Sequence, residues 1–177
     1  AGRAIREVGG TVDGVYRVPL GTSDYRVDIE DIRRYNPSYV LSSLNGSDDV
    51  AFQQQAYEAG LHSTTEMVSL MLDEATRERI GDAAASGIWT AMGYYQELDT
   101  DLNQGLRARY ETKYGLWAPP ISTHSVSVYE AIMLYASAVR SGRHDTPRDV
   151  LARLHTVTSN LPRGRVRSEG PSALRQE

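Results

Sequence analysis

Apolar positions between Tyr39 and Thr100 come in short runs separated by polar turns. The runs are residues 39–44, 67–72 and 87–93. Each is followed by a polar turn and then by helix-forming sequence. Residues 50–60 follow Asn45-Gly46-Ser47-Asp48-Asp49, residues 75–80 follow Asp73-Glu74, and residues 102–114 follow the 94–100 segment. Strand-length runs alternating with helices of this length predict an α/β fold with a parallel sheet and crossover helices. Right-handed crossovers place every strand-to-helix turn on the carboxyl edge of that sheet. Open α/β sheets bind ligands on that edge, so the turns carry the functional question.

The flanking sequence extends the pattern. Residues 15–20 read as a strand, and residues 27–35 as a short helix stopped at Asn36-Pro37. Residues 125–140 form the most apolar helix, with Val128, Tyr129, Ile132, Met133, Tyr135, Ala136 and Val139 spread around it. That distribution predicts burial over most of its circumference. Half of the sheet it needs is not encoded, so an apolar patch of several hundred Å² (a rough scale) is expected on the helices of 101–160. Residues 148–157 form a last helix, capped by Asp145 or Thr146, with Pro147 in its first turn. Residues 1–8 read as the end of a helix stopped by Gly9-Gly10, so an upstream piece is expected.

A chain of 177 residues allows one domain, or one lobe plus part of another. The net charge of −4, with both signs interspersed, gives no general field for nucleic acid or an anionic membrane. The absence of cysteine excludes thiolate zinc sites, disulfides and thiol catalysis. No signal peptide or transmembrane-length apolar run is present, so direct membrane insertion is not expected. The end changes character: Arg163, Arg165, Arg167 and Arg175 are interleaved with Pro162, Gly164, Gly170 and Pro171. With no aromatic among the arginines, this end reads as a disordered tail rather than a nucleic-acid arm.

Candidate chemistry is sparse. His62, His124, His144 and His155 show no ligand spacing and read as surface or loop histidines, so no metal or cofactor is expected. Asp73 and Glu74 follow a strand and fit either an acid/base pair or a helix cap. Serine elbows, phosphate loops and dinucleotide fingerprints are missing. Binding is the better reading. Asn45-Gly46 offers a side-chain amide and a backbone that a ligand can approach closely, although an ordinary Asn-Gly turn has the same sequence. Asp24, Asp48-Asp49, Asp73-Glu74 and Asp99 occupy the positive helix starts where a phosphate would sit. The expected ligand is therefore small and neutral or zwitterionic. Tyr94-Tyr95 fits an aromatic wall or core packing.

The stretches VYRVPLGTSDY, YVLSSLNGSDDVAFQQQAYEAGL, VSLMLDEA and GIWTAMGYYQELDT, followed by YETKYG, resemble the type 1 periplasmic binding protein fold. Within it the chain is similar to the amide- and urea-binding branch of the branched-chain amino-acid receptor family, over about residues 8–161. The resemblance implies a two-lobe clamp that closes on a solute without chemistry. Residues 1–93 would form a Rossmann-like second-lobe segment and 94–100 a hinge crossing. Helices of the first lobe would fill 101–160, and 161–177 would hold the return crossing and the disordered tail. Ser43, Asn45 and Gly46 match the family's ligand loop, Leu72 and Asp73 the next loop, and Tyr94 the hinge-side wall. The front half of the first lobe and the opening strand of the second have no counterpart. The implied protein is the extracytoplasmic substrate-binding component of an ABC-type importer, with a small amide, urea or amino acid as solute and a permease as partner. A cytoplasmic amide sensor holding a regulatory partner is an alternative, and a small hydrolase using Asp73 and Glu74 a third.

Overall fold

The computed structural model describes residues 1–142, 146–169 and 173–176, so His144 and Asp145 lie outside the described residues. The chain forms two compact units. One holds Ala1–Leu72 and Thr76–Ala91, the other Asp73–Ala75 and Met92–Glu177.

The first unit is the α/β one. Its elements are α1 (Gly2–Glu7), α2 (Arg26–Tyr35), β1 (Tyr39–Ser42), α3 (Ser47–Glu58), β2 (Glu66–Ser69), α4 (Glu74–Ile80, whose first two residues belong to the second unit), α5 (Asp82–Ala85) and β3 (Ile88–Thr90). The strands form a parallel sheet in the order β1-β2-β3, with Ser42 opposite Ser69 and Ser69 opposite Thr90. Helix α2 buries Ile29 and Ile32, one turn apart. It stops at Asn36, which takes a left-handed conformation (φ 47°, ψ 54°) just before Pro37 bars further helix. Tyr25, Ile29, Ile32, Phe52, Ala56, Leu61 and Met67 form the main core, with the Phe52 ring edge-on to Tyr25 at 5.5 Å. A smaller cluster of Leu72, Ile80 and Ala84 packs around the later strands.

Residues 15–20 depart from expectation. Their strand-like sequence forms no strand and enters no sheet pairing among the described residues, and Leu20 already lies in a turn. A strand needs a neighbour to take its main-chain groups, and no described residue pairs with this segment.

The second unit holds α6 (Asp101–Tyr114), α7 (Thr123–Arg140), α8 (Pro147–Leu154) and an antiparallel sheet of β4 (Thr158–Leu161), β5 (Gly164–Glu169) and β6 (Ala173–Gln176). Local chemistry starts each helix: Thr100, Ser122 and Thr146 each accept a backbone N–H from the first turn, and Pro147 follows its cap directly. Helix α7 is not buried all round. Thr123, Val126, Glu130, Leu134 and Ala138 form its buried stripe, whereas Val128, Ile132 and Tyr135 are exposed. Its apolar composition exceeds what α8 and the small sheet cover. The arginine-rich end also corrects the expectation of disorder over its described residues, while Gly170 and Pro171 lie outside them. Gly164–Glu169 forms a strand, buries Val166 against Leu134 and Leu161, and pairs on both sides. One buried valine and two paired neighbours are enough to order a segment whose composition reads as loop.

Candidate functional site

The carboxyl ends of β1 and β2 share one construction. Each strand ends in a serine, and each serine hydroxyl accepts the backbone N–H two residues on: Leu44 N to Ser42 Oγ at 3.3 Å, Met71 N to Ser69 Oγ at 3.2 Å. Each hydroxyl in turn donates to one carboxylate, Asp49, at 3.2 Å from Ser42 and 3.1 Å from Ser69. The Gln53 side-chain amide donates a third hydrogen bond to it at 3.1 Å. Asp49 lies in the first turn of α3 and is wholly buried. It therefore fixes two neighbouring loops at once, through groups that carry no charge. Burial pushes its pKa above the ordinary carboxylate value, and the Gln53, Ser69 and Ser42 hydrogen bonds partly offset this. Asp48 accepts the Gly21 N–H at 2.9 Å and ties the preceding turn to the same helix.

Above this clamp sit the expected ligand residues of the first unit. Ser43 and Asn45 are exposed, and Gly46 caps α3 at φ 61°, ψ −126°, a backbone region closed to side chains. Leu72 ends the neighbouring loop, is buried, and its carbonyl accepts the Thr90 hydroxyl at 2.6 Å. The topology thus brings Ser43, Asn45, Gly46 and Leu72 to the carboxyl edge of one sheet.

Asp73 and Tyr94 belong to the second unit. Asp73 is buried and accepts the Thr123 N–H at 3.1 Å, at the start of α7. Tyr94 is 1% exposed and packs with Ile121 and Val126, and its hydroxyl donates to Asn103 Oδ1 at 2.6 Å. Burial raises its phenol pKa to about 12. Within this unit its ring is a core element. Asn103 carries the local order further, donating to the carbonyls of Gln96 and Leu98 at 2.8 Å each. Thr100 caps α6 and donates to the Pro162 carbonyl at 2.8 Å. Beside it, wholly buried Glu130 forms an ion pair with Arg163 and accepts the Arg163 backbone N–H at 3.1 Å.

Ser42, Ser69 and Glu130 were not among the residues singled out from the sequence, and Asp49 was singled out only as one of the acids at helix starts. One signal was present: each run carries a serine inside it, Ser42 after Leu41 and Ser69 after Val68. Asp49 reads locally as a helix-start acid, and only the strand register shows what it faces.

Among the described residues, no group of three histidines, acids or cysteines could hold a metal ion. No helix is long and apolar enough to cross a membrane.

The family model described as periplasmic binding protein matches residues 1–173. No curated protein matches the chain. Several solved structures do. A solute-binding protein of an ABC transporter from Rhodopseudomonas palustris HaA2, in complex with p-hydroxybenzoic acid, aligns over 98% of this chain and 48% of its own (TM-score 0.87, 21% identity). The amino acid ABC transporter substrate-binding protein from Pseudomonas fluorescens Pf-5 aligns over 98% and 46% (0.86, 17%). A leucine-binding protein from Thermotoga maritima MSB8 aligns over 94% and 47% (0.76, 19%). At these identities the likeness concerns the fold, and the chain spans slightly less than half the length of each.

Proposed function

We propose, from the premise that this chain belongs to the periplasmic binding protein family, that it recognises a small solute as part of the substrate-binding component of an ABC-type importer. Binding involves no chemical step. The protein would work outside the cytoplasm and deliver its solute to a permease. The observation that carries this reading is the shared anchor under two adjacent loops. A buried carboxylate spends its hydrogen-bonding capacity holding the strand ends and leaves Ser43, Asn45 and the Gly46 backbone free above it. Fixed polar groups on a rigid sheet edge are what small-solute recognition requires. The proposed contact set in the first unit is Ser43, Asn45, Gly46 and Leu72.

The solute class follows from charge. Asp49 already occupies the first turn of α3, where an anionic group would gain most from the helix dipole. A ligand offering N–H donors suits the exposed Ser43 and Asn45 oxygens better than a bare anion does. That points to a small amide, urea or amino acid. The amino-acid members agree with the printed functions of the Pseudomonas and Thermotoga relatives.

A thermal-shift screen of the 177-residue chain tests this, with acetamide, urea, leucine and 4-hydroxybenzoate at millimolar concentration. An amide, urea or amino acid is expected to raise stability, by about 4 kcal/mol at a thousandfold excess over Kd. Asn45→Ala should remove the shift while leaving the unliganded midpoint within about 0.5 kcal/mol of the parent, because Asn45 is exposed. No shift from any of the four, a full shift retained in Asn45→Ala, or a response to 4-hydroxybenzoate alone would overturn the assignment.

A further inference from the structure

The chain holds four asparagines, Asn36, Asn45, Asn103 and Asn160, and the fold leaves them very different freedom to react with their own backbone. The main-chain nitrogen that follows an asparagine can attack the side-chain amide carbon, Cγ, and close a five-membered imide. That reaction needs an N–H on the following residue that is not held elsewhere. It needs a side-chain amide free to turn, and no following side chain to crowd the approach.

Three of the four lack at least one of these. Pro37 follows Asn36 and has no N–H to offer. Asn103 is wholly buried in α6, where its amide donates to the Gln96 and Leu98 carbonyls at 2.8 Å each and accepts from the Tyr94 hydroxyl at 2.6 Å. The Gln104 N–H that follows it is spent on the Thr100 carbonyl at 2.9 Å. Asn160 lies inside β4, paired with Arg165, and the branched, buried Leu161 follows it.

Asn45 meets every condition. It lies between β1 and α3, is exposed, and its side chain makes no hydrogen bond among the described residues. The next residue is Gly46. Its N–H also makes no hydrogen bond among the described residues, whereas its carbonyl accepts Val50 N at 3.2 Å and the Asn45 carbonyl accepts Asp48 N at 3.3 Å. The main chain is thus held through its acceptors and left free at the one nitrogen the reaction uses. Beyond its chain neighbours, no described atom lies within 4 Å of where a Cβ would sit on Gly46, so the approach is open to the ring and to water. The left-handed φ of 61° favours glycine at this position, so the turn itself selects the residue that makes the preceding asparagine reactive.

We infer that Asn45 is a self-modifying site. Gly46 N attacks Asn45 Cγ, the Cγ–Nδ2 bond breaks, and ammonia leaves with the proton that the Gly46 N–H gives up. Water then opens the imide. Addition at Cγ leaves aspartate at position 45 in an ordinary main chain. Addition at the main-chain carbonyl carbon leaves isoaspartate, whose main chain runs through Cβ and Cγ and is one methylene longer. The step consumes only water. Either product replaces a neutral amide with a carboxylate and adds one negative charge just before Asp48 and Asp49. The isoaspartate also lengthens the loop between Ser42 and Asp49, which the clamp holds at both ends. This chemistry does not depend on the solute reading. Where that reading holds, it places a charge among Ser43, Asn45 and Gly46 and sets a working lifetime for a site built for neutral solutes.

Ageing of the purified 177-residue chain, followed by peptide mapping, tests the inference. An acidic charge variant should accumulate as ammonia is released. The amide-to-acid mass change, part of it as isoaspartate, should map to Asn45 about tenfold or more faster than to Asn36, Asn103 or Asn160. The rate should rise from mildly acidic to mildly alkaline buffer, because the attacking nitrogen must lose its proton. Asn45→Gln keeps an exposed amide but must close a larger ring, so that variant should stay unmodified at position 45. Three outcomes would overturn the inference: an Asn45 that stays intact through ageing in mildly alkaline buffer, conversion of Asn103 or Asn160 at the same rate, or an acidic variant that accumulates equally in Asn45→Gln. A solute screen without a hit leaves all three readouts unchanged.

Discussion

Each unit buries one carboxylate completely, and the two are satisfied in opposite ways. Asp49 in the first unit is met by two hydroxyls and an amide, all neutral. Glu130 in the second is met by the Arg163 guanidinium and by that residue's own backbone N–H. Neutral donors leave the desolvation of a charge only partly compensated, and the raised pKa of Asp49 follows from that. A cation compensates it directly and also fastens one element to another. Arg163 is the second residue of the reversal between β4 and β5, so the pair holds that hairpin on α7. The difference separates two jobs. Glu130 joins pieces of a core, whereas Asp49 holds two loops in register beneath the proposed binding edge.

The largest effect is expected at Glu130. Alanine there leaves Arg163 partly buried without its partner, costing about 3–5 kcal/mol in chemical denaturation. Replacing Glu130 by leucine together with Arg163 by methionine should recover most of the loss, because an apolar pair needs no compensation. A double variant as unstable as the single one would remove the ion pair from the account.

Asp49→Ala comes next, at about 2–3 kcal/mol, since it strands two serine hydroxyls and an amide together. Asp49→Asn sharpens the comparison through pH. The folded-state pKa of Asp49 lies above its ordinary value of 3.8, so at any pH between the two the folded protein holds a proton there that the unfolded chain has released. Its contribution to stability therefore grows as pH falls through the folded pKa, is complete below about 3.8, and is lost again on the way up. The parent should gain stability relative to Asp49→Asn between neutral pH and pH 4, read as the difference in denaturation midpoints. A difference that is flat or shrinks would contradict the origin assigned to the shift.

The smallest effect is expected at Thr100, where valine removes a helix cap and a bond to the Pro162 carbonyl, for about 1 kcal/mol. If Thr100→Val costs as much as Glu130→Ala, the hairpin is held mainly from α6 and not by the ion pair.

The parallel strands and their order of helices were legible because apolar runs and polar turns are local features. The placement of Ser43, Asn45, Gly46 and Leu72 at one sheet edge follows from that pattern and crossover handedness alone. Asp49 was not legible in its real role, because its partners Ser42 and Ser69 meet only through the β1-β2 register. Tyr94 read as a wall or as core, and inside its unit its ring and hydroxyl are engaged by Ile121, Val126 and Asn103. The apolar content of α7 overstated its burial because composition cannot say how many neighbours a helix has. The arginine-rich end misled for the converse reason: pairing with β4 and β6 orders a strand that holds one buried side chain, Val166. Residues 15–20 carry an apolar strand-like pattern but form no strand among the described residues, because local pattern does not supply a pairing partner.

The central claim is that the Asp49 clamp presents a solute-binding edge at the ends of β1 and β2. The most direct measurement is an NMR titration of the 177-residue chain with acetamide, urea and leucine, in the parent and in Asp49→Ala. Saturable shifts confined to residues 43–46 and 70–72 are expected in the parent, with affinity about tenfold weaker in a folded Asp49→Ala, a loss of about 1.4 kcal/mol. Shifts centred elsewhere, or an Asp49→Ala protein that binds as tightly as the parent, would contradict it.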